Sequence, residues 1–119
     1  MPMPLVQLWK EGLHMRMLLR VSIPVETGNA AAKAGTLGST VERILAELKP
    51  EASYFFADDN GKRSCSIIFD MTDPSQIPAI AEPWFLAFEA AISLRPVMSL
   101  QDLEKAGPSI AVAAERYGS

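Results

Sequence analysis

The chain has 119 residues, enough for one domain that removes about two thirds of its unfolded surface from water without help from metals or disulfides. It is 49% apolar and 21% charged, the balance of an ordinary globular domain, which excludes a disordered or membrane-embedded chain. A net charge of -3 with no basic run excludes a nucleic-acid partner held by phosphate contacts. Cys65 is the only cysteine and His14 the only histidine, so neither an internal disulfide nor a transition-metal ligand set is available. No metal or cofactor is expected, and a reducing cytoplasm is the expected location.

Residues 1–14 read as an N-terminal extension to a single domain over residues 15–119. The opening Met1-Pro-Met-Pro-Leu-Val lacks the basic start and long apolar run of a signal peptide. Leu5, Val6, Leu8, Trp9 and Leu13 allow a short amphipathic helix there.

The first strong strand is Arg16 to Pro24. Strand side chains alternate, so Met17, Leu19, Val21 and Ile23 point one way and Arg16, Leu18, Arg20 and Ser22 the other. Turn chemistry follows over residues 24–29, with Thr27 or Asn29 expected to cap a helix through the alanines at 30–34. Gly35 and Gly38 weaken that helix, and Ser39-Thr-Val-Glu42 has the spacing of a capping box for a fresh start. Val41, Ile44, Leu45 and Leu48 then form an apolar stripe that ends at Lys49-Pro50.

Two strands, Ala52 to Asp58 and Arg63 to Met71, flank Asn60-Gly61, a pair suited to the positive φ of a hairpin turn. The second puts Cys65, Ile67, Phe69 and Met71 on one face and Ser64, Ser66, Ile68 and Asp70 on the other. Asp73-Pro-Ser-Gln76 starts a helix with a cap, a first-position proline and a glutamine three residues after the cap. Its stripe of Ile77, Ile80, Ala81, Trp84, Phe85 and Phe88 runs past Pro83, where a kink is expected. The most apolar region, residues 77–94, carries Glu82, Glu89 and two prolines, so it reads as buried structure and not as a membrane span. Ala91 to Met98 is the last strand, with Ile92, Leu94 and Met98 on one face and Ser93, Arg95 and Val97 on the other. Ser99 starts a short helix, Gly107-Pro108 interrupts it, and a small-residue helix runs to Tyr117.

The order is βαββαβ with a C-terminal helical tail, an α+β arrangement of the ferredoxin-like type. A sheet ordered fourth, first, third, second, with both helices on one face, satisfies the connection rules. The bare face then carries Leu18, Arg20, Ser22, Tyr54, Phe56, Ser66, Ile68, Asp70, Ser93, Arg95 and Val97, too apolar to be left in water. Residues 23–29, 49–52, 77–84 and 95–98, followed by Asp102-Leu-Glu-Lys-Ala-Gly-Pro108, resemble a group of small bacterial proteins of the dimeric α/β barrel superfamily, over about residues 15 to 118. That resemblance implies a homodimer packed through the bare sheet face and carries no catalytic residue. Relatives of that fold include cofactor-free monooxygenases, lactone isomerases and haem-degrading enzymes, so fold alone does not choose a function. His14 precedes the first strand, which removes support for haem degradation.

Arg20 and Arg95 are expected on adjacent strands of this face, with Asp70 on the other neighbouring strand and Tyr54 beyond. Two guanidinium forks can hold a carboxylate, Asp70 can orient one of them, and Tyr54 can close an aromatic wall, giving a site for a small anionic or aromatic metabolite. The same residues also suit an ion-pair network across a dimer interface. Trp84, Phe85 and Phe88, with Met17 and Phe69, fit either a pocket for a flat ligand or an ordinary core, and Glu82 either a general base or a solvated residue. Cys65 reads as a small buried hydrophobe and His14 as a surface residue. Gly35-Thr-Leu-Gly38 lacks the basic residues of a nucleic-acid loop, and Asp58, Asp59 and Asn60 lack calcium-loop spacing and suit a hairpin turn. Gly28-Asn29 could bind an anion through backbone amides, as most helix starts could. Three functions stay open: a ligand-binding homodimer, a cofactor-independent enzyme of the monooxygenase or isomerase type holding an enolate-like intermediate, and a structural or interaction module.

Overall fold

The computed structural model describes residues 14–119. The short helix expected over residues 5–13 lies outside the described residues.

The sheet is built on β1 (Met15–Ser22), which pairs antiparallel with β3 (Arg63–Met71) on one side and β4 (Ala91–Pro96) on the other. β2 (Ala52–Ala57) adds to the outer edge of β3, giving the order β2-β3-β1-β4. The first crossover contains α1 (Val25–Ala34) and α2 (Leu37–Leu48); the second contains α3 (Ile77–Phe88), entered through a 3-10 turn at Pro74–Gln76. Two further helices, α4 (Leu100–Lys105) and α5 (Gly107–Tyr117), end the chain. This is an α+β domain with a four-stranded antiparallel sheet and five helices, broadly ferredoxin-like. None of the described helices is long and apolar enough to cross a membrane.

Period-two alternation fixes which side is the core. Met17, Leu19, Val21 and Ile23, with Cys65, Ile67, Phe69 and Met71, are all buried against Ile44 of α2 and Ile80, Trp84 and Phe88 of α3. Each fully buried side chain of this size contributes about 1.5–3 kcal/mol, so this layer dominates the stability.

Local chemistry sets the ends of the elements. Asp73 accepts from Ser75 N at 2.8 Å while Gln76 Oε1 accepts from Asp73 N at 3.1 Å, which starts the turn leading into α3. Ser99 and Asp102 form the reciprocal box that starts α4, with Ser99 N to Asp102 Oδ2 at 2.9 Å and Asp102 N to Ser99 Oγ at 3.2 Å. Gly61 takes φ 74 in the hairpin, whereas Asn60 does not adopt the expected positive φ: the turn is centred on Asp59 and Asn60 and closed by Gly61 N donating to Asp58 O at 2.9 Å.

The first crossover differs from its expected form. α1 begins directly after Pro24, whose carbonyl accepts from Gly28 N at 2.9 Å, so Thr27 and Asn29 are helical and cap nothing. Gly35 closes α1 at φ 73, and α2 starts after Thr36. Ser39 is therefore inside α2, where its hydroxyl donates to Thr36 O at 3.2 Å instead of capping. β4 also stops early, at Pro96; Val97 N still donates to Arg16 O at 3.0 Å, and the chain then turns toward Ser99, leaving Met98 66% exposed. α3 runs unbroken from Ile77 to Phe88 with Pro83 inside it, giving up the bond that a residue 83 N–H would make to the Ala79 carbonyl.

Candidate functional site

The sheet face away from α2 and α3 is divided into cross-strand rows by the register. Tyr54, Ser66, Arg20 and Ser93 form one row across all four strands. Phe56, Ser64, Ser22 and Ala91 form the row toward the hairpin, and Ile68, Leu18 and Arg95 the row on the other side. Arg95 thus faces Leu18 and is a diagonal neighbour of Arg20, about 7–8 Å away by sheet geometry.

The Arg20 guanidinium carbon lies 5.4 Å from the centroid of the Phe56 ring, a cation–π contact. Among the described residues neither Arg20 nor Arg95 has a carboxylate oxygen within 4.0 Å. Arg20 borders an open depression of about 430 Å³ whose other walls include Ser22, Phe56, Asp58, Ser64 and Ser93.

Asp58 stands at the hairpin end of that depression. Its Oδ1 accepts from Asn60 N at 2.9 Å and Lys62 N at 3.0 Å, and its Oδ2 from Ser64 Oγ at 3.1 Å and Ser22 Oγ at 3.2 Å. These bonds, the Lys62 amide foremost, hold the carboxyl below its ordinary range. The carboxylate therefore ties the turn to β1 and β3. The turn role fits the sequence reading of Asp58, Asp59 and Asn60 as hairpin-turn residues; the bonds to Ser22 and Ser64, which come from two strands, were not legible from the sequence.

Arg20, Tyr54 and Arg95 share the face as the strand pattern predicts, but Asp70 does not orient either arginine. Asp70 stands opposite Arg16, four residues along β1 from Arg20, a displacement of about 13 Å. Its Oδ2 lies 2.8 Å from His14 Nδ1, which makes His14 a pairing residue. Arg16 instead forms a bidentate pair with Glu51, Nε to Oε2 at 3.0 Å and Nη2 to Oε1 at 3.1 Å. Trp84 is on the other side of the sheet, fully buried in the core beside Phe88 at 6.2 Å, and cannot join the arginines. Cys65 is buried, and burial pushes its thiol up to about 11, so it is no nucleophile. Glu82 is exposed on α3. No three His, Cys, Asp or Glu side chains among the described residues converge as a metal site would require.

No family model matches the sequence, and no curated protein matches it. Among solved structures, a formyltetrahydrofolate deformylase from Pseudomonas putida KT2440 is similar at a TM-score of 0.43 and 23% identity. The match takes in 67% of this chain and 28% of the enzyme, so this chain corresponds to under a third of that enzyme's length.

Proposed function

We propose that the protein is a homodimer, two copies packed through their bare sheet faces as a dimeric α/β barrel, and that the space between them binds a small anionic metabolite with an aromatic part. The observation that carries this is Arg20: charged, stacked on Phe56, without a carboxylate partner among the described residues, and open to a depression. A ligand carboxylate takes the guanidinium fork, with Arg95 diagonal to it. The ligand's ring lies along Tyr54 and Phe56, and Ser66 and Ser93 offer hydroxyls in the same row. A cofactor-independent enzyme on this face would need a base, and Asp58 is shifted in the direction that weakens it as one.

Native mass spectrometry of gently purified protein, followed by calorimetric titration with a panel of aromatic carboxylates, tests the proposal. A dimer that binds members of the panel, with affinity lowered about 10-fold or more in Arg20→Met while the dimer persists, is the expected result, since a charge-assisted contact is worth about 1.5–3 kcal/mol. An empty dimer indifferent to every carboxylate points to an interaction module and overturns the ligand site. A monomer at micromolar concentration overturns the barrel.

A further inference from the structure

The C-terminal arm is amphipathic, and its own domain leaves the apolar stripe largely exposed. Leu100, Leu103, Gly107, Ile110, Ala114 and Tyr117 follow the alternating three- and four-residue spacing of a helical seam. Neither α4 nor α5 has a buried residue, and Leu100 is 71%, Leu103 45%, Ile110 55% and Tyr117 83% exposed.

We infer that this arm docks on a second copy of the chain, in the apolar groove between α2 and the edge strand β2, and that each copy both gives an arm and receives one. This rests on the dimer proposed above. The groove has a volume of about 400 Å³ and is lined by Leu37, Val41 and Phe55, the last 58% exposed, with Glu42 and Arg63 at its rim.

Area, geometry and reach lead to this occupant. Four strands about 4.8 Å apart over about 20 Å of shared length give a flat footprint of about 400 Å², which places a sheet-only dimer at the small end of stable interfaces, typically about 800 Å² of accessible surface per partner. The 6 residues of α4 and 11 of α5 make about 26 Å of helix. Laid down once as arm and once as groove at about 10 Å in width, that adds about 500 Å² of footprint to each copy and more than doubles the contact. A two-fold axis along the strands puts β4 of one copy over β2 of the other, because the sheet order ends in these two strands. It also sets Arg95 against the aromatic strand, whereas an axis across the strands stacks β4 on β4 and Arg95 near Arg95. The arm leaves at the sheet end where Val97 N donates to Arg16 O at 3.0 Å. Glu51, bonded to Arg16, marks that end of β2, and Phe55 is about 13 Å further along. An arm of about 26 Å spans that distance and the sheet's thickness of about 10 Å.

Sedimentation equilibrium on full-length chains tests this with Ile110→Asp in the arm and Phe55→Asp in the groove, both at exposed positions. Each homodimer is expected to weaken 10-fold or more, with unchanged circular dichroism at monomer concentrations. An equimolar mixture is expected to regain part of the lost affinity, because the mixed dimer keeps one intact arm–groove pair and neither homodimer keeps any. Tyr117→Ser repeats the arm test should either aspartate variant misfold. Variants that dimerise like the wild type, or a mixture without recovery, overturn the arm exchange and leave the sheet-face dimer standing. A monomeric wild type overturns the dimer itself.

Discussion

Replacing Trp84 with phenylalanine tests how the core is satisfied as well as how it is filled. Trp84 is fully buried between α3 and the sheet, and its indole Nε1 has no hydrogen-bond partner among the described residues. Burying an unpaired polar group costs about 1–3 kcal/mol, which Trp84→Phe returns. Against this, the smaller ring leaves a space of about 40 Å³, costing about 1 kcal/mol at ~24 cal/mol per Å³. The lost apolar atoms cost about 1 kcal/mol more. Trp84→Phe is therefore expected within about 1 kcal/mol of the wild type, whereas Trp84→Ala, which empties the site, costs about 3–5 kcal/mol. Urea unfolding followed by far-ultraviolet circular dichroism, at fixed protein concentration, measures both. A loss of about 3 kcal/mol or more in Trp84→Phe refutes the reasoning, because the indole N–H would then have to be paired in the native protein.

Three further outcomes follow from the local chemistry. Asp58 is held below its ordinary 3.8, so its contribution is complete above that value and is lost as pH falls through the lower native value. Asp58→Asn should accordingly flatten the acid limb of melting temperature against pH, and an unchanged limb would show that the turn does not depend on the charge. Cys65, with its thiol at about 11, should resist iodoacetamide at about pH 8 in the native protein and react once unfolded in urea; rapid native alkylation would contradict its burial. Lys49 ends α2 at φ 53, a left-handed conformation that costs an L-residue about 1 kcal/mol. Lys49→Gly should thus raise the melting temperature by about 4 °C, and a fall would show that the lysine side chain contributes more than the strain removes.

The sheet was legible because its signals are short-range and redundant. Asn60-Gly61 fixes the hairpin, and the alternation in β1 and β3 assigns eight core residues to one face without knowledge of anything they touch. The first crossover was less legible because two helix starts competed there. Ser39-x-x-Glu42 carries a capping pattern, yet Gly35 ends α1 so abruptly that only Gly35 and Thr36 separate the helices, and α2 begins before Ser39 can cap it. Similarly, the periodicity of residues 91–98 continues past the point where Pro96 ends the strand, so the pattern predicts a buried Met98 that the backbone leaves outside.

Site pairing needs more than face assignment. Period two places Arg20, Arg95 and Asp70 on one side of the sheet, but only the register says which of them meet, and a strand can slide two residues without moving any of them to the other face. Here the register carries Asp70 to Arg16, and the alternation could not have distinguished that from Arg20. The consequence is electrostatic. With Asp70 beside His14 and Glu51 beside Arg16, Arg20 and Arg95 remain as like charges on a cross-strand diagonal, with no carboxylate within 4.0 Å of either among the described residues. The proposed ligand carboxylate supplies a counter-charge, and enclosure between two sheets would strengthen the contact by excluding water. In the proposed dimer the two would support each other: the second copy would strengthen the anion's contact, and the anion would offset the cost of enclosing two arginines.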